Sequence, residues 1–228
     1  MATTSPRRDT GPGRATRSRS VWWAAWGVIA ALSVVITLFS FPPYLPLVPD
    51  VERIPLDPGF PDQHALVIAL HAIPAGLALL LGPFQFVGLI RRRYPAVHRN
   101  VGRVYLICVA LGSVTGVVAG VVAVTGLLAQ AGFLLLVVLW FYSAAMAYTT
   151  IRNGQIQLHR IWMVRNFALT FAAVWLRIVI LVGQTFFPSV PFDEVYNLAV
   201  WSSILCPLVI AEWFIVQRTL RPLALKQR

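Results

Sequence analysis

Six long apolar stretches constrain this chain of 228 residues more than any other feature. They run over 21–41, 65–90, 101–124, 127–151, 161–183 and 196–217. Each matches or exceeds the roughly 20 residues a helix needs to cross a bilayer core. Hydrocarbon offers nothing to an unpaired backbone N–H or C=O, so each stretch must close its own hydrogen bonds as a helix. Strand-like alternation of apolar and polar residues appears nowhere over a useful length. Composition shuts the other door: 58% of residues are hydrophobic and 12% charged, more apolar surface than a soluble core of this size can hide. The expected fold is all-α, a polytopic transmembrane bundle of six spans. With only Cys108 and Cys206, a disulfide scaffold, a zinc ribbon and a CxxC redox motif are excluded.

The basic residues orient the bundle. Of 19 Lys and Arg, all but Arg53 and Arg177 fall in the segments 1–20, 91–103, 152–165 and 218–228. If the six spans alternate in direction, those segments share one side of the membrane. The positive-inside rule makes that side the cytoplasm and puts both termini there, in a plasma-membrane protein. Asp50, Glu52, Asp57, Asp62, Asp193 and Glu194 fall on the opposite side. The net charge of +11 is then a topology signal and an attraction to anionic lipid headgroups, with nucleic acid excluded as a partner. The expected layout is a disordered basic cytoplasmic tail (1–20), a first transmembrane helix (21–41), a proline-rich outer loop (42–63), a five-helix transmembrane domain (64–217) and a second basic tail (218–228). The first span is longer than a signal-peptide core and has no small-residue cleavage site after it, so it is read as retained.

A polar side chain inside a bilayer is costly and therefore marks a candidate site. His98-Arg99 and His159-Arg160 each stand before an apolar span on the basic side, which gives spans two–three and four–five the same layout. At about 100° per residue, His159, Asn166, Thr170 and Arg177 share one stripe of span five. If span three reaches back to His98, that residue shares a face with Tyr105, Gly112 and Gly116. Gly112, Gly116 and Gly120 form a small-residue ladder that lets a helix approach, from the same chain or from a second copy in an oligomer. Depth sorts the polar residues into two groups. Gln85, His98, Arg99, Arg103, His159, Arg160, Arg165, Asn166 and Glu212 make a cytoplasmic-side polar site, while His71 and Arg177 lie toward the outer side. Glu212 needs a partner at that depth, and Arg165 or Arg103 is the candidate.

His98 and His159 are also candidate axial ligands of a haem b. Both stand at helix N-termini, where the dipole favours the neutral ring, and the arginines beside them suit propionates. Against this, span four has no histidine to complete a second pair with His71. No metal site is expected, because His64 and His71 lie about 10 Å apart along their helix with no Cys, Asp or Glu at ligand spacing. Pro74 and Pro83, beside Gly76 and Gly82, can kink span two in the manner of helices that line transporter paths. No Walker loop, GxSxG elbow, HExxH or dinucleotide fingerprint is present, so soluble-enzyme chemistry has no footing.

Several motifs follow one another along the chain: His71-x4-Gly76, Gly82-Pro-Phe-Gln-Phe86, Arg91-Arg-Arg-Tyr-Pro-x2-His98-Arg-x2-Gly-Arg-Val-Tyr105, His159-Arg-x-Trp-Met-x-Arg165, Phe167-Ala-Leu-Thr-Phe171, Arg177 and Ala211-Glu-Trp213. Together they resemble the bacterial membrane family catalogued as domain of unknown function 2306, over roughly residues 60–215. The resemblance implies a multi-helix membrane domain in which these His, Arg, Gln and Glu positions are candidate functional residues. It implies no particular activity. Three classes of function stand: a haem-associated redox protein using His98 and His159, a small transporter or permease-like bundle, and a structural protein whose cytoplasmic arginines grip anionic lipid.

Overall fold

The computed structural model describes residues 12–40, 61–121 and 126–217. They form seven helices and no strand: α1 (Pro12–Ser40), α2 (Pro61–Gln85), α3 (Gly88–Arg93), α4 (Pro95–Val121), α5 (Gly126–Arg152), α6 (Ile156–Phe186) and α7 (Phe192–Ile215). All except α3 are long and apolar enough to cross a membrane, which bears out the six expected spans. Residues 1–11, most of the proline-rich stretch 42–63 and the basic tail 218–228 lie outside the described residues.

Helix ends depart from the expected bounds for local reasons. Helix α1 begins at Pro12, so it takes in residues 12–20 of the stretch read as a disordered tail, while its apolar span is Ser20–Phe39. Proline suits that first position, where its missing N–H would have had no partner anyway. Pro95 opens α4 in the same way and carries that helix back to include His98. Helix α2 stops at Gln85, short of the expected Ile90. Phe86 N–H donates to the Pro83 carbonyl and Val87 N–H to the Phe84 carbonyl, both at 3.2 Å, and these i→i+3 bonds tighten and close the last turn. The chain then makes α3, a helix of six residues with none buried, across the expected end of span two and the start of the basic loop. Between α5 and α6 the turn is a Schellman cap: Gln155 N–H bonds the Thr150 carbonyl at 2.9 Å and Gly154 N–H the Ile151 carbonyl at 3.1 Å. Gly154 has φ +73°, which other residues adopt at a cost.

Helix α2 packs chiefly on α4, α4 on α5, α5 on α6 and α6 on α7, while α1 lies at the edge against α2. The Trp26 indole fastens α1 by donating to the Pro83 carbonyl at 2.9 Å, an oxygen that the end of α2 leaves accessible. Small residues set the spacing inside. A Cβ on Gly112 would stand 3.1 Å from the Trp140 ring, and one on Gly116 would stand 2.9 Å from His71. The glycine ladder of α4 is thus filled by α2 and α5 of the same chain. Gly82 lies directly under the Phe167 ring. Outward faces reverse the soluble pattern: Val104, Ile107, Leu111 and Val114 of α4 are exposed, as lipid-facing residues should be.

Candidate functional site

The deepest polar group is a closed network in the middle of the bundle. Tyr105 on α4 donates its hydroxyl to Asn166 Oδ1 at 2.7 Å and also meets Thr170 Oγ1 at 2.8 Å, both on α6. The Trp140 indole on α5 donates to Thr170 Oγ1 at 2.8 Å. Asn166 Nδ2 donates to the Trp140 carbonyl and to Ser143 Oγ, each at 2.9 Å. All five side chains are buried. Helices α4, α5 and α6 are therefore joined by bonds that neither lipid nor water could supply. Asn166, expected in the polar site at the basic end, belongs to this network instead. Trp140 and Ser143 had not been singled out. The available signal was a tryptophan far from either interfacial belt, where its N–H must find a partner in the protein.

The basic end has two separate parts. In one, the Arg165 guanidinium grips Glu212 on α7 with two hydrogen bonds, the Nη2–Oε2 contact at 3.1 Å, and lies 4.8 Å over the Trp162 ring. Of the two expected partners Arg165 is therefore the one Glu212 takes. Arg103 is exposed and reaches only Asn100 Oδ1, at 3.5 Å. In the other part, His98 lies within electrostatic range of Arg91, His159 and Arg99, and Arg91 within range of Arg160 and Arg92. Partial burial, then the positive charges of Arg160 and Arg92, hold the Arg91 guanidinium below its ordinary pKa. Arg99 and Arg160 point outward. The expected outer-side pair sits at the other end: His71 Nδ1 bonds the Gly112 carbonyl at 2.8 Å, and exposed Arg177 donates to the Ala173 carbonyl at 2.9 Å.

Between the end of α2, α3 and the start of α4 lies a cavity of about 200 Å³, lined by Leu81, Phe84, Gln85, Ile90, Val97, His98 and Val101. Its walls are hydrocarbon except at Gln85 and His98. The cavity does not itself join His98 and His159, the two candidate haem ligands. The cavity reaches His98 but not His159, and its volume falls below the roughly 300–1,000 Å³ of sites for drug-sized ligands. His159 Nδ1 is tied to the Ala147 carbonyl at 2.8 Å, which fixes that ring against α5.

A family model described as "Predicted membrane protein (DUF2306)" matches residues 68–215, well over half of the chain, from within α2 to the end of α7. No curated protein and no solved structure matches.

Proposed function

We propose, from the premise that the chain belongs to the DUF2306 family of predicted membrane proteins, that it is a plasma-membrane protein with both termini in the cytoplasm and that its arginine end is a binding face for anionic lipid headgroups. One observation carries this reading. Arg91, Arg92, Arg93, Arg99, Arg103, Arg152 and Arg160 lie on α3, the first turns of α4, the last turn of α5 and the first turns of α6, and among the described residues none is paired with a carboxylate. Glu212 on α7 is engaged by Arg165. Uncompensated charge at a membrane surface is stabilised by anionic headgroups, about 1 kcal/mol for each basic residue within reach. Guanidinium groups also bind phosphate in a bidentate manner.

The test is thermal unfolding in nanodiscs of phosphatidylcholine with and without phosphatidylglycerol. The anionic lipid should raise the midpoint by several degrees, and added salt should shrink the rise. An Arg91→Gln/Arg92→Gln/Arg93→Gln variant should lose most of it. Equal midpoints in the two lipids, or a full effect in the variant, would remove the reading.

A further inference from the structure

The cavity behind α3 holds two polar groups that the protein leaves unanswered. Gln85 is only 7% exposed, yet its amide makes no hydrogen bond to any described residue. Its Oε1 rests over Gly102 of α4, 3.1 Å from where a Cβ would stand, so the missing side chain at that position admits the amide. His98 Nδ1 is likewise buried with no partner. A buried polar atom left unmatched is costly, and the His98 nitrogen, in a native fold, calls for an explanation. Arg91 and Arg99, the arginines within range of His98, make this end of the cavity electropositive. The first turn of α4 adds the positive end of a helix dipole. The group that suits this place is an anionic oxygen, which answers the positive surroundings and can accept from the Gln85 amide N–H and from His98 in its Nδ1–H tautomer, attached to something apolar enough to lie along Leu81, Phe84 and Val101.

We propose that this cavity binds a single-chain acidic amphiphile, a hydrocarbon chain ended by a carboxylate, with its head between Gln85 and His98. The proposal rests on the reading of the arginine end as an anionic face and narrows it to one site. A volume of about 200 Å³ has room for part of one chain and none for a second, which argues for a free fatty acid over a two-chain phospholipid.

The experiment uses the full chain in phosphatidylcholine nanodiscs with a diazirine-bearing palmitate, irradiated and mapped by peptide mass spectrometry. Label should concentrate between residues 81 and 101. Unlabelled palmitate should suppress it, and neither hexadecanol nor phosphatidylglycerol at the same concentration should do so. Gln85→Leu, which removes the amide, and Val101→Trp, which fills the space, should each reduce labelling about tenfold while keeping the stabilisation by phosphatidylglycerol. Label spread over the lipid-facing side of α4, or suppressed equally by hexadecanol, overturns the site, as does full labelling in both variants. Suppression by phosphatidylglycerol instead assigns the cavity to phospholipid and overturns the fatty-acid proposal. Loss of the phosphatidylglycerol effect in the unaltered protein is a different failure and strikes the broader reading alone.

Discussion

The Tyr105 hydroxyl carries two hydrogen bonds where no solvent can replace them. Hydrogen bonds between membrane helices average about 0.6 kcal/mol and reach about 1.7, but stranding a buried partner costs about 1–3 kcal/mol. Tyr105→Phe leaves Asn166 Oδ1 without its donor, while Thr170 keeps the Trp140 indole. Unfolding of Tyr105→Phe in mixed micelles should therefore show a loss of about 1–2 kcal/mol. Asn166→Leu removes three bonds, to two helices at once, and should cost more. The Arg165–Glu212 pair makes a useful contrast. With side chains 30% and 46% exposed it is partly screened, and Arg165 keeps the Trp162 ring if the carboxylate is lost. Glu212→Gln should accordingly destabilise less than Tyr105→Phe. The reverse order would mean that the basic end, and not the central network, holds α6 in place.

Among the helices, backbone geometry and close approach make separable demands. Gly154→Ala places a side chain at φ +73° and should cost about 1–2 kcal/mol without disturbing any packed face. Gly82→Ala pushes a methyl into the Phe167 ring and should cost about 1–3 kcal/mol while loosening α2 from α6. Hydrogen exchange would tell them apart, with local opening at the α5–α6 turn in the first and along α2 in the second. The same contrast explains what could be read from the chain. Polar stripes on α4 and α6 follow from helical periodicity, and the six spans from length and hydropathy. The stop at Gln85 was hidden because the sequence stays apolar from Phe86 to Ile90, so the hydropathy run outlasts the helix. Helix α3 is too short for any periodicity to register, and a helix of six residues is held by its surroundings and not by propensity. The central network was half legible: Asn166 and Thr170 shared a stripe, but nothing in one sequence says which face of α5 will meet it.

For the molecule as a whole, the sidedness of the bundle decides what the arginine face can meet. Helix α3 and the α6–α7 turn lie at opposite ends, because α6 is itself long enough to cross the bilayer. The cytoplasmic leaflet is the one rich in anionic lipid, so only one orientation gives the arginines their complement. Single-cysteine variants test it directly. Arg92 and Ser189 are both exposed, one on α3 and the other in the α6–α7 turn, while native Cys108 is buried and Cys206 half-buried within a span, so background labelling stays low. An impermeant maleimide added to intact cells should modify the Ser189→Cys variant and spare Arg92→Cys until the membrane is opened. If the pattern is inverted, the arginine cluster faces outward, the anionic surface that complements it is the wrong one, and a fatty acid would have to reach the cavity behind α3 from the exterior leaflet.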